Sequence, residues 1–241
     1  MSERAMLSMR RVGRTHGKGA QRVDALVDVD LDVVPGELVA VTGRSGSGKT
    51  TLLNLAGGLD EPTTGRVIVD GADLGDLSKT ELAARRRRTI GYVFQEFNLL
   101  PTLTAAENVA LPLELDGMSL RRARALAEQS LDEVGLAGHA DRYPDELSGG
   151  EQQRVAIARG LVGPRTLLLA DEPTGSLDEV SSDGILRQLR ARCDAGAAAL
   201  MVTHEPAFAA WADRVVRLRD GHVESITRRS TVPPTPAGLP S

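Results

Sequence analysis

Val27, Val29, Leu31 and Val33 alternate with Asp28, Asp30 and Asp32. A period of two is that of a strand with one face buried. With Val23 and Ala25 before it, and Leu7 to Val12 earlier, the pattern predicts a small antiparallel sheet near the start of the chain. Pro35-Gly36 marks a turn. Leu38-Val39-Ala40-Val41 and Ile90 to Phe94 are short apolar runs that read as buried strands, as do Thr166 to Ala170 and Ala198 to Thr203. Val67-Ile68-Val69 is a strand closed by Asp70-Gly71. From Thr104 to Val134 the period becomes helical, with Ser119 as N-cap for Leu120, Ala123, Leu126, Ala127 and Leu131. Helix resumes after Gly150 (Gln152 to Arg159) and again from Glu179 to Arg192. Asp220-Gly221, between Val215-Val216 and Val223 to Ile226, signals a hairpin. Strands alternating with helices predict an α/β fold with a parallel sheet. The central helical block is expected to be an inserted lobe. From Arg228 on, four prolines among Ser and Thr predict a disordered tail, 228–241.

Composition narrows the reading. The 241 residues suffice for one well-packed domain with a smaller lobe. Aromatic residues make up 2%, so the core must be Leu, Val, Ala and Ile. A net charge of −4 argues against general nucleic-acid binding, which wants a basic face. Cys193 is the one cysteine, so neither a disulfide framework nor a cysteine metal site is expected. His139 and His222 show no metal-ligand spacing, and Trp211 is expected to pack within an Ala-rich helix. Met1 to Arg14 lacks the apolar core of a secretory signal. No apolar run approaches the roughly 20 residues of a membrane span. If the chain works at a membrane, another protein is expected to cross it.

The segment Gly43-Arg44-Ser45-Gly46-Ser47-Gly48-Lys49-Thr50 fits the phosphate-binding pattern G-x-x-x-x-G-K-[ST], between a predicted strand and a predicted helix starting at Thr51. Glycines let the backbone curl with its N–H groups inward. The helix behind adds partial positive charge at its N-terminus. Lys49 can reach the β- and γ-phosphates, and the Thr50 hydroxyl can ligate Mg²⁺. A bound nucleoside triphosphate follows, with residues 43–51 as its candidate contacts.

Leu167 to Ala170 runs into Asp171-Glu172. An acid at that strand end suits a second Mg²⁺ contact, and the next can polarise an attacking water. Leu147-Ser148-Gly149-Gly150-Glu151-Gln152-Gln153-Arg154 places a further anion nest at a helix start. This octet, between a phosphate loop and an Asp-Glu strand, strongly resembles the signature of ATP-binding cassette (ABC) ATPases. The resemblance covers about residues 7 to 226 and implies a P-loop NTPase (RecA-like) core, an N-terminal antiparallel β subdomain and an inserted helical subdomain near 98–160, all within 1–227. It implies that Gln95 contacts Mg²⁺ and faces a membrane partner, that Ser176-Leu177-Asp178 touches an opposite subunit, and that His204 senses the γ-phosphate. Glu172, His204, Gln95 and Lys49 are then catalytic, and Thr50, Gln95 and Asp171 hold the metal. Ser148, Gly149, Gly150 and Glu151 close over the nucleotide of a second chain. Relatives usually stack an aromatic on adenine; the matching segment, Arg14-Thr15-His16-Gly17, offers His16.

Phe94 to Pro101, Asn54 to Asp60, Pro62 to Gly65 and Glu107 to Leu113 resemble the macrolide-exporter and lipoprotein-release branch. That implies ATP and Mg²⁺ as cofactors, a second copy (or a paralogous cassette) and an integral membrane permease as partners, and a place in the cytoplasm on the inner face of the cell membrane. No nucleic acid is expected. Phe97, Leu99 and Leu100 are candidates for the permease groove; Arg85 to Arg88 read as a solvated helix end or a headgroup contact. The alternatives are a membrane-associated mechanotransmission or cell-division ATPase, and a soluble non-transport cassette.

Overall fold

The computed structural model describes residues 4–17 and 19–228. Strand β1 (Leu7–His16) pairs antiparallel with β2 (Val23–Val33), after which β3 (Leu38–Thr42) enters the second sheet and feeds helix α1 (Lys49–Ala56). β4 (Thr64–Val69) and β5 (Ala72–Asp73) return to the first sheet, followed by α2 (Lys79–Thr89) and β6 (Ile90–Val93). A helical block follows: α3 (Ala105–Glu114), α4 (Leu120–Glu133) and α5 (Gly149–Leu161). Then come β7 (Leu167–Asp171), α6 (Glu179–Asp194), β8 (Ala198–Val202), α7 (Pro206–Ala209), β9 (Arg214–Arg219) and β10 (His222–Arg228). Among the described residues the first sheet has the order β2-β1-β4-β5 and the second β10-β9-β3-β8-β7-β6. All neighbours in the second sheet are parallel except the β9–β10 hairpin.

The continuous apolar strands are explained by two cores. Leu38, Ala40, Leu168, Ala170, Ala199 and Met201 face a core shared with α3–α6. Val39, Val41, Leu167, Leu169, Leu200 and Val202 face the other, filled by α1 and the antiparallel sheet. A parallel strand covered on both faces has no polar side to show.

Several sequence expectations are displaced. In β2, Leu26 and Val29 are both buried while Val23 is exposed. Asp28 takes φ 50°, and the β1–β2 register shifts beside it. An extra residue of this kind moves following side chains to the opposite face. The block 104–134 divides at Gly117 (φ 93°), with Ser119 at the N-cap of α4 as expected, and Thr104 caps the first half by accepting from Glu107 N. Trp211 lies beyond the four-residue α7 rather than within a helix, packed on the helical core. Arg228 ends β10 opposite Arg214, so the strand includes the first residue of the expected tail. Residues 229–241 lie outside the described residues.

Candidate functional site

The loop between β3 and α1 threads a narrow gap. A Cβ on Gly43 would lie 2.3 Å from the Leu218 carbonyl oxygen, and one on Gly48 (φ 98°) 2.3 Å from that of Ala25. No other residue type lets the loop pass so close to β9 and β2. Gly221, at the hairpin turn, donates to the Ser47 carbonyl at 3.3 Å and accepts from Val27 N at 2.9 Å, backing the loop from behind. Lys49 Nζ donates to the carbonyls of Gly43 and Arg44, each at 2.9 Å. This folds the ammonium over the mouth of the loop.

Thr50 Oγ1 donates to Asp171 Oδ2 at 2.8 Å, tying α1 to the end of β7. Asp171 is buried; desolvation raises its carboxyl above the ordinary range, with the Thr50 bond opposing and Glu172 pushing the same way. Glu172 leaves the strand at φ 47°, its N–H donating to Val202 O at 3.0 Å. His204 Nδ1 lies 3.2 Å from Glu172 Oε1. These groups gather at the carboxyl ends of β3, β6, β7 and β8, where open α/β sheets bind ligands.

A cavity of about 490 Å³ opens there. Gly43, Ser45, Gly46, Gly48, Lys49, Thr50 and Thr51 form its floor, with Gln95, Asp171, Glu172 and His204 along one side. Val23, Asp24 and Ala25 line it too, which sequence reasoning missed because an unbroken alternation put Val23 and Ala25 in the core. His16 pairs with Val23 across the β1–β2 ladder but does not line the cavity. Arg44 and Ser47 face a separate pocket behind the loop, against β9 and Asp220.

Ser148, Gly149, Gly150, Glu151 and Asp178 are not brought to this cavity. Ser148 caps α5 in a reciprocal box: its Oγ accepts from Glu151 N at 3.3 Å, and Glu151 Oε2 accepts from Ser148 N at 2.8 Å. Those bonds hold the Glu151 carboxyl below its usual range. A Cβ on Gly149 would meet nothing, so the turn is open to a visitor. Asp178 caps α6 by accepting from Ser181 N at 2.8 Å, which lowers its own carboxyl.

A second, apolar cavity of about 260 Å³ lies where the helical block meets β6, lined by Leu59, Tyr92, Phe94, Leu111 and Leu115, with Arg86, Arg87 and Arg165 around it. Phe97, Leu99 and Leu100 do not line it; Leu99 packs on the helical core and Leu100 is exposed. The Arg85 to Arg88 run is engaged rather than free. Arg86 donates to Gly58 O at 2.7 Å and Arg88 pairs with Asp116 at 2.7 Å.

A glycine-rich loop on a parallel sheet, with a lysine and a threonine at the helix start and two acids at the end of β7, one strand removed from β3, defines a P-loop NTPase. Within that class the chain belongs to the ABC transporter family, whose model matches residues 26–175. It is 44% identical over 218 residues to the ABC transporter ATP-binding protein YknY of Bacillus subtilis strain 168, covering 90% of this chain and 95% of that one. It is 46% identical over 219 residues to the macrolide export ATP-binding/permease protein MacB of Chromobacterium violaceum, covering 91% of this chain and 34% of that one. The chain thus spans about a third of the macrolide export relatives. The solved dimer of the ATP-binding cassette MJ0796 in a post-hydrolysis state with ADP and Pi superposes with TM-score 0.89 at 41% identity, over 92% of this chain and 98% of that one. The chain is an ABC ATPase, binding and hydrolysing ATP as a transporter's nucleotide-binding subunit. The expected fold and the macrolide-exporter side of the branch assignment are both borne out.

Proposed function

We propose that two copies close head to tail on two ATP molecules and drive a separate permease. One observation carries this reading. A single chain holds two half-sites: the cavity with Lys49, Asp171 and Glu172, and the open Ser148–Glu151 turn, which that cavity does not include. Triphosphate held on residues 43–51 of one chain supplies the negative charge that the partner's α5 N-terminus is built to receive. Thr50, Asp171 and Gln95 offer hard oxygen donors, the set that suits Mg²⁺. Bound there, the ion would neutralise charge developing on the phosphoryl oxygens. Glu172 polarises the attacking water, His204 orients Glu172 and meets the γ-phosphate, and Lys49 turns from the loop carbonyls to the phosphates. Adenine lies toward Val23 and Ala25, with His16 at the end of the paired strand.

The apolar cavity beside β6 is the permease dock. Arg165 is 8% exposed and its Nε has no hydrogen-bond partner, while Arg87 Nε stands 4.0 Å from Asp116 Oδ1. A buried polar group without a partner is costly, so the occupant is an amphipathic segment that offers an acceptor to Arg165 beside its apolar face. No helix among the described residues is long and apolar enough to cross a membrane. The permease would supply the span, with this chain on its cytoplasmic face.

Glu172→Gln removes the base and keeps the shape. Turnover should fall at least about 100-fold, within the range general bases contribute, while ATP binding by equilibrium titration stays intact. Turnover within a few-fold of the parent would remove Glu172 from its role.

A further inference from the structure

Helix α5 touches three loops of the site from one rod. Its first residues form the open turn at Ser148. Five positions on, Gln153 is 1% exposed and donates from Nε2 to the Pro173 carbonyl at 3.0 Å, one residue after Glu172. Arg154 Nη1 reaches Ser181 Oγ at 3.3 Å, and that hydroxyl donates to Asp178 Oδ2 at 3.1 Å. Arg159 donates to the carbonyls of Phe97 at 2.7 Å and Asn98 at 2.6 Å, just beyond Gln95. The rod is seated without slack. A Cβ on Gly91 would lie 2.0 Å from the Gly160 carbonyl oxygen, so α5 rides on β6 backbone to backbone. A shift at one end of such a helix must appear at the others.

Of these links Gln153 is the one to the catalytic turn. Leaving a buried amide unpaired is expensive, so the bond to Pro173 persists as the helix moves. Burial also fits a side chain that fills space and no more; the two roles differ in what they predict.

Resting on the head-to-tail reading above, we propose that Gln153 is a positioning residue for Glu172. Through it, arrival of the partner's nucleotide at Ser148 sets the water-polarising carboxylate of the same chain. The two sites then hydrolyse jointly.

Gln153→Leu and Gln153→Met keep the bulk and remove the donor. Either should lower kcat about tenfold or more with the ATP KM within about twofold. The Hill coefficient for ATP should fall from near ~2 toward ~1. In a Glu172→Gln background, both should still dimerise at the same ATP concentration. Unchanged kcat and Hill coefficient overturn the role. So does a loss of dimerisation and thermal stability in step with kcat, or failure of both variants to fold, each of which makes Gln153 structural. Failure of Glu172→Gln alone to dimerise instead overturns the head-to-tail reading on which the proposal stands.

Discussion

Asp171 sits between opposing demands. Burial favours its neutral form, while Thr50 and Lys49 favour the charged one. Its carboxyl is raised above the ordinary 3.8, so the sign of the linkage is fixed. The folded state gains from this group below that ordinary value and loses the gain as pH rises through the raised one. Asp171→Asn keeps an acceptor for Thr50 and removes the charge. In nucleotide-free protein it should raise Tm at neutral pH by about 2 °C or more and flatten the decline in stability above about pH 4. Mg²⁺-dependent turnover should nonetheless fall at least about 100-fold. Calorimetry across pH, beside an ATPase assay, checks both; an unchanged or lower Tm contradicts the buried-charge account. At this scale the site was largely legible. Residues 43–51, Asp171 and Glu172 announce themselves because phosphate and metal chemistry admits few residue types. Val23 does not, since its exposure follows from a bulge at Asp28 that no side-chain pattern marks. Gln153 left a faint mark: it shares one helical stripe with the buried Ala156, Ile157 and Gly160. A polar residue on an apolar stripe has a partner to find.

Among the elements, the connection from β6 to α3 is the least regular stretch near the site, and Asn108 organises it. The side chain is wholly buried. Its Nδ2 faces the carbonyls of Leu103 at 2.9 Å, Thr104 at 3.0 Å and Leu100 at 3.1 Å, and its Oδ1 accepts from Leu100 N at 2.8 Å. Asn108→Ala removes the side-chain partner of Leu100 N and of the Leu103 carbonyl, while the Leu100 and Thr104 carbonyls keep the backbone N–H of Leu103 and of residue 108. It also empties a wholly buried position, so it should destabilise the chain by about 1–3 kcal/mol. Denaturant melts measure this, and a loss under about 0.5 kcal/mol, the size of an ordinary surface change, would show that the loop holds itself. Strands β3, β6, β7 and β8 and helix α6 were legible because apolar runs and helical stripes extend over their length. The start of α4 was legible too, since Ser119 stands at its N-cap as the sequence suggests. Where α3 ends before it, beyond Pro112, was not marked as clearly. β4 and β5 belong to the antiparallel sheet although they follow the phosphate loop, a long-range pairing that local pattern cannot encode.

For the whole molecule, the two cavities have different tasks under the proposed function. The dock beside β6 should serve the permease and leave the ATP site alone. Leu115, 62% exposed at its rim, is suited to the test. Leu115→Asp should preserve turnover of the isolated chain and reduce permease-stimulated turnover about tenfold; full stimulation would place the dock elsewhere. The proposed pairing has a trace in the sequence: Ser148 caps α5, but Gly149 beside it leaves an open turn that no described residue of the same chain fills. Its separation from the cavity became visible only in three dimensions. The central claim is that terminal phosphate joins two such chains. The most direct measurement is the solution mass of Glu172→Gln by light scattering, with and without Mg²⁺-ATP. The account predicts a monomer without nucleotide, a dimer with ATP and a return to monomer on exchange to ADP. A mass that stays monomeric under saturating ATP, in protein shown to bind it, would contradict the account.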